Sequence, residues 1–181
     1  MNQKVKYALG VVIFIVVIVG LNFAYQALRN TTKDQIENTV TKQQTQANDA
    51  YNFTLFQKEK QVALEEFKGK PIVLNFWTSW CGYCKVEMPE FQQLYEEEKD
   101  NIHILMVNVA TDDIKQDAEQ YIAENAFTFP VYYDEKGEGV RKYRVTGYPI
   151  TILINQDFQI VKQYNGRINM DTLKQDLSKI Q

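Results

Sequence analysis

The chain has 181 residues, 45% of them hydrophobic and 24% charged, with two cysteines and one histidine. It can bury a sizeable core but can hold neither a disulfide framework nor a multi-zinc scaffold. Its 20 Lys and Arg stand against 23 Asp and Glu, a net charge of −3 with no strongly basic region, which argues against nucleic acid as a partner.

Taken in chain order, the first element is apolar. Between Ala8 and Ala24 the only strongly polar residue is Asn22, and residues 7–28 as a helix would span about 33 Å against a hydrocarbon core of roughly 30 Å. Residues 1–28 are therefore read as a cytoplasmic stub and an uncleaved, single-pass membrane anchor. A cleaved signal peptide is the alternative, but the run exceeds a usual signal-peptide core, and only Ala24-Tyr-Gln-Ala27, not an A-x-A site, follows it. Lys4, Lys6 and the α-amino group before the span, against a charge-balanced flank after it, put the amino terminus in the cytoplasm and the rest outside. Residues 29–50 are rich in Thr, Gln and Asn and hold no aromatic residue. They lack the apolar density that offsets chain ordering and read as a polar linker.

Residues 51–181 have the size of one domain and carry the acid excess, since residues 1–50 hold five bases and three acids. Residues 51–56 and 61–63 predict a hairpin, although the joining Gln57-Lys-Glu-Lys60 lacks the Gly or Asn that tight turns favour. The nearly continuous apolar run 71–77 predicts a strand covered on both faces. A helix over 81–99, interrupted near Pro89, precedes a second buried strand over 102–109. The pattern then predicts a helix over 112–124 with an Asp-rich first turn, a short strand over 129–133 and a short helical stretch over 140–143. Strands over 150–154 and 159–164 and an amphipathic helix from about Asn169 close the chain. This alternation predicts an α/β fold, a mixed sheet with helices on both faces. Phe53, Phe56, Phe67, Phe76 and Phe91 are read as core or near-core, His103 as structural, and Arg141, Lys142 and Arg144 as a solvated face.

The informative string is Trp77-Thr-Ser-Trp80-Cys81-Gly-Tyr-Cys84-Lys85. A C-x-x-C pair alone could be half a zinc site, but tetrahedral zinc takes four N or S ligands and a single histidine cannot complete the set, so no metal is assigned. Two inert, buried cysteines are another reading. Against it, the pair lies where a buried strand gives way to a helix. There the unpaired N–H groups and the macrodipole stabilise the Cys81 thiolate, lowering its pKa and making it the nucleophile. Cys84, one turn deeper, is placed to attack the mixed disulfide and release product.

Together with Glu87 and Pro89 in the following helix, Phe129-Pro130, and Gly147-Tyr-Pro149 before a strand, this string resembles the thioredoxin superfamily and, within it, the membrane-anchored TlpA/ResA/StoA-like thiol–disulfide oxidoreductases. The resemblance spans residues 51–181 and the anchor layout. It implies a thioredoxin-like fold with an amino-terminal β-hairpin and an inserted central helix, and extracytoplasmic thiol–disulfide exchange, commonly reductive, on exported proteins such as apocytochrome c. It also implies a membrane electron donor of the CcdA/DsbD type. No metal or organic cofactor is required by these residues, and the soluble domain is read as monomeric. A cis peptide at Pro149 is implied as well, leaving the Tyr148 backbone to pair with a substrate strand. With Trp80, Gly82 and Tyr83, these residues form the expected substrate-binding set.

Cytoplasmic thioredoxins have a buried Asp where this chain has Asn75, which cannot titrate. Glu87, three residues beyond Cys84 on the same side of a helix, is therefore the candidate base for Cys84, as in the ResA-like group, and completes a catalytic set of Cys81, Cys84 and Glu87. A solvated helix glutamate is the alternative. Gly82-Tyr83 departs from the Glu-Pro and Pro-Pro pairs of ResA-like and StoA-like proteins and is similar to DsbC-type isomerases. An oxidase or isomerase of the DsbA/DsbC type therefore stays open beside a reductase, though the chain has no room for a DsbC-like dimerisation domain. A non-catalytic binding module on the same scaffold is the reading from a different class.

Overall fold

The computed structural model describes residues 48–180 and, ahead of them, helical residues 16, 18–26, 28 and 29. The chain divides into two units, Met1–Ala47 and Asn48–Gln181. Among the described residues no helix is long and apolar enough to cross a membrane. The rest of the expected 7–28 span, and the expected linker from residue 30 to residue 47, lie outside the described residues.

The second unit contains seven strands, Thr54–Gln57 (β1), Lys60–Ala63 (β2), Ile72–Trp77 (β3), His103–Asn108 (β4), Val131–Tyr133 (β5), Ile150–Ile154 (β6) and Ile160–Asn165 (β7). Its helices are Gly82–Glu98 (α1), Lys115–Glu124 (α2), Glu138–Lys142 (α3) and Met170–Leu177 (α4), with a 3-10 turn at Leu64–Phe67. One mixed sheet runs in the order β2-β1-β5-β4-β3-β6-β7, with β3, β4 and β5 parallel and β6 antiparallel to β3. This is the thioredoxin-like α/β fold, with an amino-terminal hairpin and with α2 inserted between β4 and β5.

The central strands are apolar on both faces because both faces are covered. Every residue of β3 and β6 is buried. Val73 and Trp77 of β3 pack with Met88, Phe91 and Leu94 of α1, Ala118 of α2, and Leu173 and Leu177 of α4. Ile72, Leu74 and Phe76 face the other way, toward Phe53, Leu64 and Tyr143. Asn75 and Thr151 interrupt this apolar pattern and stand opposite each other in register.

Three expectations are corrected. The α1 helix runs without a break through Pro89. An interior proline costs about 3 kcal/mol, but fully burying Met88, Phe91 and Leu94 returns roughly 1.5–3 kcal/mol for each side chain. The α2 helix starts at Lys115 rather than 112, because Asp112 and Asp113 are engaged elsewhere. The expected hairpin is present, β1 pairing antiparallel with β2, and it closes through Lys58 at φ 54°, a left-handed conformation taken without Gly or Asn. Finally, the domain begins before residue 51, since the Ala50 N–H donates to the Phe158 carbonyl at 2.8 Å and Asp49 bridges Gln159.

Candidate active site

The carboxyl end of β3 delivers the dithiol to the start of α1. After Trp77 the chain turns, the Cys81 N–H donating to the Thr78 carbonyl at 3.2 Å, and Cys81 becomes the N-cap of α1, its Sγ accepting the Cys84 N–H at 3.1 Å. The two cysteines are joined as a disulfide with their Cα atoms 5.3 Å apart. Cys81 keeps 5% exposure and Cys84 none, so an incoming sulfur reaches Cys81 first. Once the bond is reduced, the same N–H and the helix dipole favour the Cys81 thiolate.

Below the pair, Glu87 is fully buried, which overturns the solvated alternative. Its Oε1 accepts Asn75 Nδ2 at 2.9 Å and its Oε2 accepts the Ile168 N–H at 3.2 Å. Burial pushes its carboxyl up from 4.5 to about 7, against the opposing pull of these two hydrogen bonds. Asn75 Nδ2 also donates to Thr151 Oγ1 at 3.0 Å, tying β3, β6 and α1 into one buried polar cluster. A carboxyl poised near neutrality can accept and return a proton at physiological pH.

Beside the pair, the Tyr148–Pro149 peptide is cis. Pro149 is buried, and its carbonyl accepts the Gly166 N–H at 2.8 Å. The Tyr148 ring meets the exposed Trp80 indole edge to face, centroids 5.8 Å apart. Tyr83 projects into solvent, and a Cβ placed on Gly82 would meet nothing within 4 Å, so the first turn of α1 is open above the sulfurs. Trp80 and Gly82 flank Cys81 in the chain, and the ring contact with Trp80 brings Tyr148 to the same edge.

Sequence reasoning missed Asp112 and Asp113. Asp113 accepts the Ser79 N–H and, at 2.6 Å, Ser79 Oγ, as well as Asn108 Nδ2 at 2.7 Å. It anchors the loop that leads into Cys81. Asp112 accepts the Tyr148 hydroxyl at 2.8 Å on its carboxylate and Trp80 Nε1 at 2.9 Å on its carbonyl. The available signal was their place directly after a buried strand, where α/β proteins build sites.

His103 stands opposite Ile72 at the far end of β3 from the dithiol, edge to face with Phe67, with burial lowering its pKa. Arg141 and Lys142 are exposed and donate to the main-chain carbonyls of Lys136 and Asn52. An open groove lined by Lys58, Phe127, Phe129, Pro130 and Tyr133 shares no residue with the dithiol loop.

A cysteine pair capping a helix at the carboxyl end of a central strand, beside a cis-proline turn, defines a thioredoxin-fold thiol–disulfide oxidoreductase. The AhpC/TSA family profile matches residues 46–163, and the chain belongs to that family. The sporulation thiol-disulfide oxidoreductase A of Bacillus subtilis (strain 168) is 36% identical over 110 residues, 60% of this chain and 67% of its own. The thiol-disulfide oxidoreductase ResA of Geobacillus thermodenitrificans (strain NG80-2) is 28% identical over 182 residues, 99% of each chain. The crystal structure of StoA from Bacillus subtilis superposes with a TM-score of 0.62 at 32% identity, covering 69% of this chain and 95% of that one. This protein is a thiol–disulfide oxidoreductase of the ResA/StoA type, and the binding-module alternative falls away.

Proposed function

We propose that the protein is a disulfide reductase for exported proteins, held on the outer face of the cell membrane by its amino-terminal segment. The observation that carries this reading is the asymmetry of the pair: Cys81 is reachable at the helix start, whereas Cys84 is sealed above a carboxyl held near 7. The Cys81 thiolate attacks one sulfur of a substrate disulfide, and the other sulfur leaves as a thiolate. The proton of Cys84 passes toward Glu87. Cys84 then attacks Cys81 Sγ, forming the Cys81–Cys84 bond and releasing the second substrate thiol. Two electrons pass from the protein to the substrate, and a membrane dithiol donor of the CcdA/DsbD type returns them.

Substrate binding is assigned to the Tyr148 main chain, which carries no hydrogen bond among the described residues and can pair with an extended strand. Because such pairing makes little sequence demand, many exported proteins fit it, apocytochrome c included. The anchored placement is supported by the apolar run of residues 7–28.

The test is the equilibrium potential of the Cys81/Cys84 couple in the full chain, titrated against dithiothreitol or glutathione. A value near thioredoxin's, about −270 mV, supports the reductase; one near DsbA's, about −120 mV, replaces it with an oxidase. Protease accessibility of the domain on intact cells tests the placement, and full protection overturns it.

A further inference from the structure

The substrate edge is assembled from three loops, and one residue joins two of them. Trp80 belongs to the loop before Cys81, and Tyr148 to the turn before Pro149. Their rings meet edge to face, and the hydrogen bonds that fix each ring are made elsewhere. Both end on Asp112, in the loop between β4 and α2: its Oδ2 accepts the Tyr148 hydroxyl at 2.8 Å, and its carbonyl accepts Trp80 Nε1 at 2.9 Å. The Asp112 N–H is itself tied to the Val109 carbonyl at 2.9 Å, and the next residue, Asp113, is held by Ser79 and Asn108. The anchor point is therefore rigid even though Asp112 lies at the surface.

We propose that Asp112 is a positioning residue that sets selectivity for protein disulfides over small ones, by holding Trp80 and Tyr148 as one preformed aromatic wall beside Cys81. This rests on the reading that the Tyr148 edge receives the substrate chain. A polypeptide laid along that edge runs against the wall, whereas a small disulfide has only to reach Cys81 Sγ. With the wall preformed, the substrate meets two aromatic side chains already in place; without the Asp112 carboxylate, Trp80 keeps its bond to the residue-112 carbonyl but binding must immobilise Tyr148. Burial, and next the Asp112 bond, hold the Tyr148 hydroxyl well above its usual pKa, so it remains a donor to Asp112 at neutral pH.

The test uses the full chain, pre-reduced, in detergent. Single-turnover rate constants are measured for insulin, by acid quench and thiol alkylation, and for 5,5′-dithiobis(2-nitrobenzoate), by absorbance; the ratio of the two is the readout. Asp112→Ala is expected to lower the insulin-to-small-disulfide ratio about tenfold. Tyr148→Phe is expected to lower it similarly, the double variant no further, and Asp112→Asn, which keeps an acceptor oxygen, to restore most of it. An unchanged ratio in Asp112→Ala, or additive losses in the double variant, overturns the proposal. Tyr148→Ala and Tyr148→Pro separate the two readings. If Tyr148→Ala lowers the ratio while Asp112→Ala does not, only the Asp112 role fails; if it leaves the ratio unchanged, the aromatic wall carries no selectivity and the proposal fails. Tyr148→Pro, which removes the main-chain N–H, reads the substrate edge by itself, an unchanged insulin rate there overturning that edge.

Discussion

Asn75 donates a 2.9 Å hydrogen bond from the middle of β3 to the buried carboxylate of Glu87 on α1, one helical turn beyond Cys84. An amide that cannot titrate thereby holds a carboxyl that can. Asn75 also binds Thr151 on the neighbouring strand, so the carboxyl is positioned by the sheet rather than by its own helix.

The buried carboxyl makes stability depend on pH. Glu87 titrates near 4.5 in the unfolded chain and about 7 in the fold, so between these values the native state holds a proton that the unfolded state has lost. The contribution is fully present below pH 4.5 and is lost as the pH rises through about 7, on the order of 3 kcal/mol in all. Glu87→Gln stays neutral throughout. Urea unfolding of the oxidised proteins is expected to show the variant gaining on the wild type from pH 4.5 to 7 and no further above it; a constant difference refutes the assignment.

The same substitution tests the proton path. With Gln at position 87, the step in which Cys84 resolves a mixed disulfide is expected to slow about 10²-fold or more and to lose its inflection near pH 7. Quenched-flow alkylation of the mixed disulfide measures it.

Exchange requires the two cysteines unequally. Cys84→Ser is expected to accumulate a mixed disulfide through Cys81, visible as a reductant-sensitive adduct on a gel and by mass. Cys81→Ser is expected to form none, because the remaining sulfur has no exposed surface.

Asp113 is a structural clasp for the dithiol loop. Asp113→Ala strips acceptors from the buried Ser79 and Asn108, and leaving such donors unpaired costs about 1–3 kcal/mol each. Chemical denaturation is expected to show a loss of about 2–4 kcal/mol, smaller for Asp113→Asn.

Gly139 is required by close approach. A Cβ there would lie 2.6 Å from Phe53 Cε2 and 2.9 Å from Phe76 Cε1, both ring atoms of the core. Gly139→Ala is expected to cost about 1–3 kcal/mol, read as a lower midpoint in thermal or urea unfolding.

Much of this protein is written locally. The apolar runs of β3 and β6 announce strands buried on both faces, because no other placement hides consecutive apolar side chains. The C-x-x-C pair at a strand-to-helix junction announces its chemistry, because a helix N-cap stabilises a thiolate wherever it occurs. Asn169, which caps α4 by accepting the Thr172 N–H, falls where the amphipathic pattern begins.

Tertiary contact decided the rest. Asp112 and Asp113 look like the acidic first turn of a helix, which the dipole favours, yet their carboxylates bind Tyr148 and Ser79, 36 and 34 positions away. Pro89 looks like a break, and only the packing of Met88, Phe91 and Leu94 on the sheet carries the helix through it. Glu87 reads equally as a solvated helix residue or a proton acceptor. Its burial comes from β3 on one side and from Ile168, 81 residues later, on the other. Desolvation is a property of everything that surrounds a group, so its effect on that carboxyl exists only once the chain has closed around it.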